Sequence, residues 1–260
     1  MRNVTVAFVL LVVISVAGCS GTTSLAGSQD GSSPPGISTE NGIVDAYALV
    51  DTHTENLRNH SYTVNYTITE RYSNDTLRTS QETTTMVGVS GEQYHSISRV
   101  TGNSSAVFGA DRGTVKYWSN GTTRLRAIVV DGETTYRELS DSPPTVLKSY
   151  DERLYVLFTS SNVSVTKQTI EGETVYRVRS TEVVQPSLVP RSTELTNVTN
   201  VSFSAVVSAE GTIQSYNLSY RATYRDERIT VQERLSFTNF DSTTVGTPAW
   251  VEAWRNDSGR

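Results

Sequence analysis

Cysteine is almost absent: one residue, Cys19, stands in 260, so an internal disulfide or a thiolate metal set has no partners to draw on. Histidine is nearly as scarce. His53, His60 and His95 show no His-x-x-x-His or His-Glu-x-x-His spacing, so the usual zinc motifs are missing. Each histidine reads as a surface or boundary residue. There is no Gly-x-Ser-x-Gly nucleophile elbow, and the 17 glycines are dispersed among turns rather than gathered into a phosphate-cradling loop. Carboxylate pairs such as Asp151–Glu152 and Glu171/Glu173 read as solvent-facing, without the apolar setting that would raise one of them for glycosidic chemistry. A Ser-His-Asp site stays open, because such triads assemble in space rather than in sequence. The expectation is therefore no enzyme, no metal and no cofactor. Lysine occurs only at Lys116, Lys148 and Lys167, and the net charge is −5, a balance that argues against nucleic acid as a partner. Scarce lysine beside abundant Asp and Glu points to a salt-loving source.

Long apolar runs are also lacking, with one exception. Val4 to Ala17 is interrupted only by Thr5 and Ser15. It is shorter than the ~20 residues a membrane-spanning helix needs, and it follows Arg2, as the h-region of a signal peptide does. The run ends in Val16-Ala17-Gly18-Cys19. Small residues let an extended chain enter a peptidase cleft, and the cysteine behind them becomes a lipidated N-terminus. This pattern matches the lipobox of prokaryotic lipoproteins. Residues 1–18 are the expected signal peptide, and Cys19 the expected lipidation site. Loss of Arg2 with that peptide takes the net charge from −5 to −6. A two-chain lipid anchors stably where one chain does not, so the expected location is the outer, extracytoplasmic face of the cell membrane. Residues 19–41, rich in Gly and Ser with Pro34-Pro35, read as a linker. Residues 42–255 read as one β-rich domain, and 256–260 as a polar tail.

Asparagine is patterned. Eleven of fourteen lie in Asn-x-Ser/Thr, where a chain with roughly a quarter Ser and Thr would give about four by chance. Outside the leader these candidate glycosylation sites are Asn59, Asn65, Asn74, Asn103, Asn120, Asn162, Asn197, Asn200, Asn217 and Asn256. Several fall in turns or on the polar phase of alternating strands, where a glycan is tolerated.

What is abundant is alternation. Tyr62-Thr-Val64-Asn-Tyr66-Thr-Ile68 changes from apolar to polar at each step, the mark of a half-buried strand. The stretches Val201–Val207, Tyr216–Tyr224 and Ile229–Phe237 behave alike. Ser90-Gly91, Asn120-Gly121, Asp131-Gly132, Glu171-Gly172, Glu210-Gly211 and Asp226-Glu227 punctuate them as hairpin turns. A helix opens the domain, with Ile43, Ala46, Tyr47, Val50 and Leu57 at helical spacing and an end near Asn59. A second begins at Ser142 and Pro143, an N-cap and a first-turn proline, and carries Val146, Leu147, Tyr150, Leu154, Leu157 and Phe158 as one stripe. The stretch from Glu182 to Leu195 reads as a loop or broken helix. The order predicts an α+β fold: one curved antiparallel sheet, a half-barrel, with helices packed on its concave face.

The lipobox, the polar linker, the helix leading into the Asn59–Thr69 run and the closing Pro248-Ala-Trp250-Val-Glu-Ala-Trp254 together resemble a group of haloarchaeal lipoproteins of unknown function. The element order also resembles the half-barrels of LolA-type lipoprotein carriers and of the mycobacterial LppX/LprG lipid-binding lipoproteins. That likeness implies an apolar or lipid-like ligand held between sheet and helices. Tyr62, Val64, Tyr66, Ile68, Leu147, Tyr150, Leu154, Phe158, Tyr216, Leu218 and Tyr220 are then candidates to line the cavity. They would equally make ordinary core, since tyrosine favours strands. The remaining readings are a structural or protein-binding component of the envelope and, behind it, a hydrolase acting on envelope polymers.

Overall fold

The computed structural model describes residues 33–102, 110–139 and 148–257. The expected leader, Cys19, Asn103, the Ser142-Pro143 cap, Val146 and Leu147 lie outside the described residues. Among the described residues thirteen strands and three α-helices follow one another. β1 (Ile37–Ser38) and β2 (Gly42–Ile43) form a small hairpin ahead of α1 (Ala46–Arg58). β3 (Tyr62–Tyr72), β4 (Leu77–Val87), β5 (Gln93–Gly102), β6 (Arg112–Asn120), β7 (Arg124–Val130) and β8 (Glu133–Glu138) run as a meander. After α2 (Lys148–Thr159) a second meander comprises β9 (Ser161–Ile170), β10 (Glu173–Val183), β11 (Leu195–Ser208), β12 (Ile213–Tyr224) and β13 (Glu227–Thr238), and α3 (Ala249–Asp257) closes the chain.

The two meanders make one 11-stranded antiparallel sheet in the order β8-β7-β6-β5-β4-β3-β13-β12-β11-β10-β9. The sheet is curved and not closed into a barrel. The hairpins are short because their turns suit the strand twist. Asp131-Gly132 and Glu171-Gly172 both sit at positive φ (51° and 87°; 52° and 89°), the two-residue geometry that continues a right-handed twist. The join is non-local: β13 returns to pair with β3, Leu235 opposite Tyr66 and Phe237 opposite Val64. The first meander ends at one edge of the sheet and the second begins at the other. α2, between β8 and β9 in chain order, packs on the inner face of the sheet.

Period-two alternation fixes the two faces. Tyr62, Val64 and Tyr66 point inward, toward α1 and α2, and join Phe203, Ala205, Tyr216, Leu218, Val231 and Leu235 in one buried cluster. The helices contribute Leu49, Val50 and Leu57, and Tyr150, Leu154, Leu157 and Phe158. α1 starts where Asp45 caps it, its carboxylate accepting from the Ala48 N–H at 2.9 Å. The stripe it buries differs from the expected one: Tyr47 is exposed, and Leu49, Val50, His53 and Leu57 face the sheet. The region between β10 and β11 holds a short 3-10 turn at Pro186–Leu188, in keeping with the loop or broken helix read there. Part of the stretch read as linker is packed into the domain: Ile37 belongs to the core cluster and Pro34 and Gly36 are buried.

α3 occupies the other face. Thr63, Met86, His95, Trp118 and Leu125 follow one another across β3 to β7, and all point away from α1 and α2. Val251 buries Trp118 and Leu125 there, with Trp250 and Trp254 packed around them.

Candidate functional site: the inner face of the sheet

The inner face divides in two. α1 and α2 cover β9 to β13 and β3. Their buried cluster takes only Val87 from β4 and nothing from β5 to β8. Tyr62, Val64, Tyr66, Tyr150, Leu154, Phe158, Tyr216, Leu218 and Tyr220 all lie in the covered half, between 0% and 5% exposed, with Ile68 packed at its margin. The structure thus brings the described members of the expected set together, and they pack against one another: Tyr66 and Tyr150 rings lie 5.8 Å apart, Phe158 and Phe203 5.6 Å.

The other half is a wall of mixed character. One row crosses it from Tyr66 to Thr83, Ser98, Val115, Ile128 and Thr135. Hydroxyls on β4 and β5 bond to each other: Thr83 Oγ1 donates to Ser98 Oγ at 3.0 Å, Gln81 Nε2 reaches the same oxygen at 3.1 Å, and Thr85 and Ser96 lie 2.8 Å apart. Gln81, Ser98, Val100, Val115, Tyr117, Arg126 and Ile128 are half-buried. Thr83, Thr85 and Ser96 are themselves buried, so the wall offers Gln81 and Ser98 beside Val, Ile and Tyr carbons. Two surface depressions, of about 490 and 210 Å³, lie elsewhere: one at Arg99, Thr101, Arg112 and Asp131, the other over Ser204, Asn217 and Arg234, both set by outward-facing residues.

Beside the seam between the halves, on the covered side, sits a charged cluster. Glu233 is fully buried on β13. Its Oε1 accepts from Arg153 Nε at 3.1 Å, Arg191 Nε at 3.0 Å and the Tyr216 hydroxyl at 2.6 Å, and its Oε2 from Arg153 Nη2 at 2.5 Å. Arg153, on α2, also donates to the Val189 carbonyl at 2.6 Å. Burial pushes the Glu233 carboxyl up, but Arg153 and then Arg191 outweigh it and hold the group below the ordinary carboxylate value. Burial likewise opposes charge on both arginines; Glu233 overcomes it at Arg153, and Tyr66 and then Glu233 overcome it at Arg191. Arg191 extends over the Tyr66 ring at 5.1 Å. Of this cluster only Tyr216 was among the expected site residues. The signal was present: Glu233 stands on the apolar phase of Ile229, Val231, Leu235 and Phe237, where a charge must find a partner or lose its proton. A second inner pair, Glu70 with Arg78, lies further along the same face, with Arg78 stacked on Tyr224 at 3.7 Å.

His53 corrects the surface reading given to the histidines. It is 0% exposed, because it falls at helical spacing with Leu49, Val50 and Leu57. Nδ1 accepts the Ile213 N–H at 3.1 Å, and burial lowers the ring's pKa to about 3. His95 is buried too, at 8%, with Nε2 accepting from Trp250 Nε1 at 3.4 Å; only His60, paired with Asp241 at 2.8 Å, is substantially exposed. Among the described residues no group of three His, Cys, Asp or Glu is placed to hold a metal, and no helix is long and apolar enough to cross a membrane. The candidate acceptors Asn59, Asn65, Asn74, Asn120, Asn162, Asn197, Asn200, Asn217 and Asn256 are all exposed.

Residues 2–253 match a family of unknown function (DUF7537). The chain belongs to this family. No curated protein matches the DUF7537 chain. Among solved structures it is similar to LprF from Mycobacterium bovis, at 11% identity and a TM-score of 0.38, over 78% of this chain and 96% of that one. It is also similar to a putative outer membrane lipoprotein-sorting protein domain from Vibrio parahaemolyticus (7% identity, TM-score 0.27, 82% and 99% covered). A third likeness is to MucB in complex with MucA(peri) (13% identity, TM-score 0.26), over 80% of the DUF7537 chain and 59% of that one.

Proposed function

We propose that this protein is a non-catalytic binding module, tethered through Cys19 outside the cell membrane, that holds an amphiphilic, lipid-like ligand against the inner face of its sheet. The observation that carries this reading is the unequal cover of that face. A sheet face with apolar side chains normally buries against another layer. Here the described helices seal β9 to β13 and β3, while Val100, Val115, Tyr117 and Ile128 remain half-buried on the other wall. A ligand with a hydrocarbon part and a few polar groups matches that mixture of hydroxyls and aliphatic carbons. The leader and lipobox supply the location and the tether.

Titration of the full chain with a fluorescent acyl probe tests the reading. Saturable binding is expected, and Val115→Trp, which fills the wall, should weaken it at least tenfold while the melting temperature is retained. Absence of saturable binding, or binding that Val115→Trp leaves untouched, contradicts the proposal. β8, a six-residue outermost strand with mostly exposed side chains, favours the second reading, a protein-interaction component of the envelope. Its two glutamates and Arg137 are the charges that blunt such an edge.

A further inference from the structure

The cluster beside the seam carries one positive charge more than it needs. Glu233 is the sole carboxylate, among the described residues, that forms an ion pair with Arg153 or Arg191. Arg153 spends its fork on that carboxylate and its remaining terminal nitrogen on the Val189 carbonyl. Arg191 is engaged differently. It gives only Nε to Glu233, and its two terminal nitrogens make no hydrogen bond among the described residues. Its side chain is 34% exposed, whereas those of Arg153 and Glu233 are 5% and 0%. One end of the guanidinium is thus fixed by a buried carboxylate and the other is turned outward with free donors.

Its position gives the free end a meaning. The Arg191 guanidinium lies over Tyr66, and Tyr66 begins the row that continues through Thr83, Ser98, Val115 and Ile128. From β3 to β7 that row spans four strand spacings, roughly 19 Å, comparable to an extended long acyl chain. We infer that Arg191 is an anion-binding residue and that the ligand is an acidic amphiphile, its carboxylate or phosphate on the free end of Arg191 and its chain along the wall that the described helices leave uncovered. This rests on the proposed function and names the chemistry of its ligand. A planar guanidinium held from behind by Glu233 is already oriented for a two-point contact with an oxyanion. The anion would neutralise the unbalanced charge beside the seam, where partial burial limits screening by salt.

The experiment compares three ligands of one chain length, hexadecanoate, monohexadecyl phosphate and hexadecanol, displacing a fluorescent acyl probe from the full chain at pH 7.5. Both anions are expected to bind at least tenfold tighter than the alcohol. Arg191→Gln should shrink that preference below twofold and leave the hexadecanol affinity unchanged, because Glu233 keeps its bidentate partner Arg153 and the fold is retained. Arg191→Lys should restore part of the phosphate preference. Equal binding of all three ligands by the native protein, or an anion preference that survives Arg191→Gln, overturns the inference while leaving the binding module standing. A chain that binds none of the three overturns the proposed function and this inference together. If only one anion is preferred, the inference holds for that headgroup, carboxylate or phosphate.

Discussion

Glu233 is the residue on which the covered half of the inner face turns. Removing a carboxylate from water costs several kcal/mol, and the attraction of its partners offsets this only when the geometry is good. Here four donor contacts supply that geometry. Glu233→Gln leaves Arg153 charged and buried, so a loss of about 3–5 kcal/mol in urea unfolding is expected. The paired change Glu233→Leu with Arg153→Met should cost far less, since replacing a whole buried pair is often neutral. A double variant as unstable as Glu233→Gln would mean that the cluster contributes more than its own desolvation. Two other groups, buried His53 and half-buried Asp151, contribute to the pH response with opposite signs. His53, lowered to about 3, is bound neutral in the fold; its contribution is complete above about pH 6.5 and falls as the pH drops toward 3. Asp151 is raised to about 6, first by burial, against a hydrogen bond from Thr54 and the charge of Arg58. Its folded form favours the proton, so its contribution is complete below about pH 4 and is lost as the pH rises through 6. Asp151→Asn removes the second effect and leaves the first. Between pH 7 and 4.5 the variant should lose more stability than the native protein, by roughly 1–2 kcal/mol. Parallel pH curves would show that Asp151 titrates as an exposed carboxyl.

At the scale of elements, alternation and turn chemistry made most of the fold readable, whereas partners distant in sequence were not. The Tyr62–Ile68 and Ile229–Phe237 patterns place both strands, and the structure pairs them as β3 and β13, but nothing in either pattern names the other as its neighbour. Hairpin turns are local chemistry and were legible, apart from a one-residue shift: the β12–β13 turn is Arg225-Asp226, both at positive φ, rather than Asp226-Glu227. The second helix was visible through its stripe, Tyr150 to Phe158. The burial of Thr63 was not. Thr63 stands on the polar phase of its strand, yet it is only 8% exposed, because the segment after β13 crosses over it and Thr243 bonds its hydroxyl at 2.9 Å. That segment has no periodicity to announce where it lies. Of the candidate site, the apolar members followed from strand phase, whereas Arg191 lies on an irregular loop whose path no local signal gives. The face assignment has a direct test in thermal melts. Val64→Asp puts a carboxylate among Tyr62, Tyr66 and Phe237 and should destabilise by several kcal/mol. Asn65→Asp, one step along on the exposed phase, should stay within about ±0.5 kcal/mol. Equal losses would contradict the inner and outer faces assigned to β3.

For the molecule as a whole, the sheet's open form and its unequal cover are the features that connect structure to role. α1 and α2 close one half on a packed core, α3 braces the opposite face around Trp118, and the wall from β4 to β7 faces inward beyond the helices. The exposed candidate acceptors lie on surfaces where glycans would leave that wall clear: Asn65 and Asn217 point outward on β3 and β12. The most direct measurement of the central claim is photolabelling of the full chain with hexadecanoic acid carrying a diazirine at its tail, followed by peptide mapping. Saturable labelling, competed by unlabelled hexadecanoate, is expected within β5 to β7, at Ser98, Val115 or Ile128. Labelling confined to the outer face around Trp118 and Trp250, or labelling that does not saturate, would contradict a ligand held on the inner face.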